Sequence, residues 1–163
     1  MHTIKLSEAV ESDIPEISRL AAIIWRQYYP AVISHEQIDY MLDKMYSAAG
    51  LREQMADRGH IFYLVVKDGE NIGFLSVNEE APGKWFINKF YIRQDLASRG
   101  IGSAAFAELR RLTSAKTFRL TVNRKNFKAI NFYFRNGFKI ESVEDFDIGE
   151  GYEMNDFVMR WGS

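Results

Sequence analysis

A glycine turn between a strand-forming run and a helix-forming run constrains this chain more than any other feature. Trp85-Phe86-Ile87-Asn88-Lys89-Phe90-Tyr91-Ile92 is aromatic and β-branched, which suits a pleated surface. Downstream, Ile101, Ala105, Leu109 and Leu112 recur at helical spacing. Between the two lies Arg99-Gly100-Ile101-Gly102-Ser103. Such a turn aims backbone N–H groups at one point, where the helix N terminus adds partial positive charge. Glycine has no Cβ, so a ligand can approach the backbone closely. This chemistry suits a phosphate or pyrophosphate. No Gly-Lys-Ser/Thr follows, and the third glycine of a dinucleotide fingerprint is absent, so ATP and NAD fit poorly.

Local signals predict the other elements. A strand is expected over 4–6. A helix then starts at Ser12 or Asp13, with Pro15 in its first turn and Ile14, Ile17, Leu20, Ala21 and Ile24 inward. A second helix begins at Ser34 and carries Ile38, Met41, Leu42 and Met45; a short third covers 51–55. Strands over 61–66 and 72–78 flank the turn Asp68-Gly69-Glu70-Asn71, forming a hairpin. Strands follow at 85–92 and 117–122, then a helix over 127–136 closed by Gly137. Two last strands, 138–146 and 153–161, are joined by 147–151. This order predicts an α/β fold in one domain over 1–163. Its central sheet is mixed, mostly antiparallel, of about six to seven strands, with helices on both faces.

Composition narrows the function classes. Basic and acidic residues number 21 and 22, a balance that gives nucleic acid no reason to be the partner. There is no cysteine, which removes disulfides, thiolate metal sites and a cysteine nucleophile. His2, His35 and His60 show no ligand spacing, so no metal site is expected. The longest apolar run, 61–66, is too short to span a bilayer, and the first residues do not resemble a leader. No membrane association and a cytoplasmic location are expected.

A second constellation lies some way beyond the glycine turn. Asn126, Ile130 and Tyr133 are spaced i, i+4, i+7 and so share a helix face. Alone, Asn126 reads equally as a simple cap and Tyr133 as packing. Together with the glycine turn, the chain resembles the GNAT superfamily of acyl-coenzyme-A-dependent N-acyltransferases. The family loop Arg/Gln-x-x-Gly-x-Gly/Ala is matched by Ala97-Ser98-Arg99-Gly100-Ile101-Gly102, with Ala97 departing from the pattern. The family element Asn-x-x-Ala-Ile-x-Phe-Tyr-x-x-x-Gly-Phe is matched over 126–138. A looser resemblance, carried by Tyr40 to Tyr46 and Asp147 to Met159, points to the spermidine/spermine N-acetyltransferase branch.

The resemblance implies an acetyl-CoA-dependent N-acetyltransferase acting on a small primary amine. Backbone groups of Phe90, Tyr91 and Ile92 would pair with the pantetheine arm like an added strand. Ser98, Arg99, Gly100, Ile101, Gly102 and Ser103 would cradle the pyrophosphate. Asn126 would bond the pantetheine arm, and the Tyr133 phenol would protonate the departing thiolate. The Phe90 N–H would polarise the acyl carbonyl. Family members often form homodimers through their late strands. Two alternatives stay open: a protein or peptide amine as acceptor, and a non-catalytic acyl-CoA sensor.

The sequence does not identify the general base. Asn88 stands near where relatives carry a glutamate, and Glu79 and Glu80 are the neighbouring carboxylates. Residues 141–156 hold Glu141, Glu144, Asp145, Asp147, Glu150, Glu153 and Asp156 and no basic residue. They read equally as a cleft for a cationic acceptor and as a solvated strand edge. Trp25, Tyr28, Tyr29 and Met41 fall where the family builds the acceptor side, where aromatic faces suit a cation, though aromatic residues in early helices more often read as core.

Overall fold

The computed structural model describes residues 3–93, 95 and 100–162. Among the described residues, five α-helices accompany one seven-stranded mixed sheet in the order β1-β2-β3-β4-β5-β7-β6. The strands are β1 (Ile4–Glu8), β2 (Ile61–Lys67), β3 (Glu70–Ala81), β4 (Lys84–Ile92), β5 (Thr117–Asn123), β6 (Lys139–Gly149) and β7 (Tyr152–Gly162). The helices are α1 (Ile14–Tyr28), α2 (His35–Tyr46), α3 (Ala48–Arg52), α4 (Ile101–Thr113) and α5 (Phe127–Arg135). The β4–β5 pair is parallel over Lys84–Ile87 and Thr117–Leu120; β1–β2, β2–β3, β5–β7 and β6–β7 are antiparallel.

The residues group into two compact units. One comprises 1–78 and 89–114. Its α1 buries Ile14, Ile17, Leu20, Ala21 and Ile24, the face read from the sequence, and Trp25 as well. Ser34 caps α2 by accepting the Gln37 N–H. Asp13, expected to cap α1 with its side chain, instead accepts the Val10 N–H and folds the preceding turn. The β2–β3 hairpin closes on Asp68 and Gly69, both at positive φ. That geometry matches strand twist, so the turn takes two residues and β3 begins at Glu70, earlier than expected. In α4, Leu112 proves exposed while Phe106 is buried. The third helix is α3 followed by a five-residue π turn, Glu53–Asp57.

The other unit comprises 79–88 and 115–163. Phe118, Leu120, Val122, Ile130, Tyr133, Phe138 and Met159 form its interior. Gly137 has φ 93° and ends α5, as expected. The last hairpin is longer than the sequence reading, because its turn is only Glu150-Gly151, again both at positive φ. Its acidic run conceals the strand alternation. No helix among the described residues is long and apolar enough to cross a membrane.

Candidate functional site

In the first unit the helix that follows the glycine turn begins as predicted. Gly100 is the N-cap of α4 at φ 89°, a left-handed conformation that glycine adopts freely. Its carbonyl accepts the Ala104 N–H at 2.9 Å. The amides of Ile101, Gly102 and Ser103 belong to the first turn, where no intrahelical acceptor exists. No side-chain hydrogen bond caps this end and its first turn has no acidic residue. Ser98 and Arg99, expected to share the cradle, lie with Ala97 outside the described residues.

Phe90, Tyr91 and Ile92 form the end of β4, with Ile92 buried. Gly73 on β3 explains how the chain holds Tyr91. A Cβ there would lie 2.1 Å from the Tyr91 carbonyl oxygen, so only glycine permits this approach. The Arg93 N–H also donates to the Ile72 carbonyl at 2.8 Å. The Tyr91 ring joins an aromatic cluster. Its hydroxyl is 3.0 Å from that of Tyr29, and Trp25 stacks on Tyr29 with centroids 4.2 Å apart. Trp25, Tyr29 and Met41 are buried and Tyr28 is half-buried, and the Trp25 and Tyr29 rings pack against the Tyr91 ring at 6.0 and 6.3 Å.

Lys89 was missed in the sequence. It is 4% exposed and alternates onto the same face as Ile87 and Tyr91, which was the available signal. Its ammonium donates to Gln54 Oε1 at 2.5 Å and lies over the Tyr46 and Phe62 rings at 5.6 and 5.5 Å. Gln54 in turn donates to the Met45 and Gly50 carbonyls, anchoring the π turn. Burial, with a smaller push from Arg58, lowers the Lys89 pKa to about 7. Burial first, then Lys89 and Arg58, lowers His60 to about 4, so His60 is neutral at pH 7.

In the second unit, Asn126 caps α5: its Oδ1 accepts the Ala129 N–H at 3.2 Å. Ile130 and Tyr133 lie buried on the same helix, and the Tyr133 ring packs on Phe138 at 5.3 Å. Ile130 and Tyr133 share the buried face of α5, while Asn126 stands before the helix as its cap. Glu79 accepts the Gly83 N–H in the β3–β4 turn, and Glu80 lies 3.9 Å from Arg119.

The acidic 141–156 stretch is a hairpin whose β6 ends the sheet. Arginines answer part of its charge. Arg119 and Arg160 meet Glu141, and Arg124 meets Asp145 at 2.8 Å. Asp156 differs from its exposed neighbours. It is 4% exposed, and burial raises its pKa to about 6, against hydrogen bonding from Thr121 and attraction to Arg124. Among the described residues, no three His, Asp or Glu side chains group as metal ligands.

Residues 17–138 match the model of the acetyltransferase (GNAT) family, a match that begins in one unit and ends in the other. An uncharacterized N-acetyltransferase of Lactobacillus delbrueckii subsp. lactis is 28% identical, over 98% of each chain. The spermidine N(1)-acetyltransferase of Thermoplasma acidophilum is 24% identical, over 93% of this chain and 99% of its own. Among solved structures, the PaiA N-acetyltransferase of Thermoplasma acidophilum in complex with coenzyme A superposes with a TM-score of 0.81. It is 23% identical, over 99% of both chains, and establishes likeness of fold.

Proposed function

The chain belongs to the acetyltransferase (GNAT) family and is an N-acetyltransferase, and from this we propose that it transfers acetyl from acetyl-CoA directly to a primary amine of a small cationic acceptor of the polyamine kind. We take 1–163 as one acyltransferase domain, since β3 and β4 each contribute residues to both units.

The observation that carries the reading is the start of α4. A left-handed glycine leads into a helix whose first-turn amides have no side-chain cap, the arrangement that accepts a pyrophosphate. In this proposal Gly100, Ile101, Gly102 and Ser103 hold the pyrophosphate, with Ser98 and Arg99. The backbone of Phe90, Tyr91 and Ile92, on the part of β4 beyond its ladder with β5, takes the pantetheine arm. The Phe90 N–H polarises the thioester carbonyl. Asn126, fixed in place by its capping bond, presents its amide to the pantetheine. Tyr133 protonates the leaving thiolate.

The acidic β6–β7 hairpin favours a cationic acceptor, and the similarity to a spermidine N(1)-acetyltransferase agrees with this. The test is release of coenzyme A thiol from acetyl-CoA with spermidine, spermine and a peptide amine, against a control without acceptor. Polyamine-dependent release is expected. Binding of acetyl-CoA without release by any amine would overturn the proposal in favour of a sensor.

A further inference from the structure

Glu144 and Asp156 stand directly opposite each other across the β6–β7 ladder. Like charges so placed repel and weaken a strand pair. A bulge creates this pairing. Ile140 faces Met159, yet Ser142 faces Val158, so Glu141 is the extra residue. Without it the register would set Val143 against Asp156. The bulge replaces an apolar partner with a carboxylate, a re-aiming that strand pairing alone does not favour.

Asp156 adds an independent observation. The residue is 4% exposed, and Oδ1 is fully buried without a hydrogen-bond partner. From β5, Thr121 hydrogen-bonds the carboxylate. From the loop after β5, Arg124 is committed elsewhere: Nη1 donates to the Glu144 and Asp156 carbonyls and Nη2 pairs with Asp145. Neighbouring Asn123 spends its Oδ1 on the Lys125 N–H. From β6, the negative charge of Asp145 pushes the Asp156 carboxyl further up, and Glu144 stands opposite on the ladder. A buried carboxylate oxygen lacking a donor, with a second carboxylate across the ladder, is one cationic N–H group short.

We propose that Glu144 and Asp156 receive the ammonium group of the acceptor amine, and that the Asp156 carboxylate takes its proton before acyl transfer. This rests on the N-acetyl transfer proposed above. Exposed Glu144 meets the cation first, and buried Asp156 accepts one proton from it. The neutral amine attacks the thioester carbonyl; the C–N bond forms and the C–S bond breaks. Tyr133 gives its proton to the thiolate and recovers one from the new amide nitrogen. Asp156 then returns its proton to water, leaving acetylated amine, coenzyme A and one proton. A carboxylate that titrates near 6 is suited to this work at neutral pH.

Asp156→Asn and Glu144→Gln test the proposal with spermidine as acceptor. For the wild type, kcat/KM should rise through about pH 6. Asp156→Asn should lower kcat/KM about 100-fold or more and abolish that rise. Its affinity for acetyl-CoA should be unchanged and its Tm no lower. Glu144→Gln should raise KM about threefold with little change in kcat. An Asp156→Asn enzyme that keeps the wild-type rate and pH rise would overturn the assignment. If the wild type releases no thiol with any amine, the transfer reading fails separately. Calorimetry of spermidine binding then decides this site: loss in Asp156→Asn supports it, and equal binding in both proteins refutes it.

Discussion

Replacing Lys89 with methionine should stabilise the protein, by an amount set by pH. In the unfolded chain this ammonium titrates near 10.5; in the fold, burial brings it to about 7. Below pH 7 both states carry the proton, and the fold bears the full cost of a desolvated charge. The shift of about 3.5 units corresponds to about 5 kcal/mol. Between pH 7 and 10.5 the unfolded chain binds more protons than the folded one. Stability from this group therefore rises with pH by about 1.4 kcal/mol per unit, then levels off. Methionine keeps the length and the contacts with Tyr46 and Phe62 but leaves Gln54 Oε1 without its donor, a loss of about 1–3 kcal/mol. The net expectation at pH 7 is a gain of about 2–4 kcal/mol. Urea denaturation at pH 7, 8 and 9 measures it. The wild type should gain on the variant at each step. Wild-type and variant stabilities that run parallel across this range would refute the buried-charge argument.

Three further outcomes follow from features already described. Tyr133→Phe should lower turnover about 100-fold while leaving acetyl-CoA affinity nearly unchanged, read by steady-state kinetics beside calorimetry; equal turnover would remove its acid role. Gly100→Val puts a β-branched residue at φ 89°, so loss of acetyl-CoA binding is expected in equilibrium titration, together with about 1–2 kcal/mol of strain. Gly73→Ala drives a Cβ into the Tyr91 carbonyl and should cost about 1–3 kcal/mol in thermal unfolding and weaken cofactor binding.

The sequence was most informative where spacing and turn chemistry act locally. The inward face of α1, the start of α2 at Ser34, the Gly137 stop and the shared face of Ile130 and Tyr133 are readable, because each depends on residues a few positions apart. The glycine turn marked where α4 begins. What stayed hidden depends on partners distant in the chain. Lys89 reads as a surface charge until Gln54, Tyr46 and Phe62 close over it. Asp156 is one acid among many until the bulge at Glu141 sets Glu144 opposite and burial isolates its oxygen. The two hairpin turns read as too long in the sequence because Asp68 and Glu150 adopt positive φ, which few residues other than glycine do.

The outermost strand also governs how this protein behaves in bulk. Ile140, Val143 and Phe146 lie exposed on β6, interleaved with Glu141, Glu144, Asp145 and Asp147. Near neutral pH these carboxylates keep one molecule's open strand from zipping onto another's. Without them the edge is an apolar template for a neighbouring strand. How concentrated the protein can be kept therefore depends on these four side chains more than on the stability of the fold behind them.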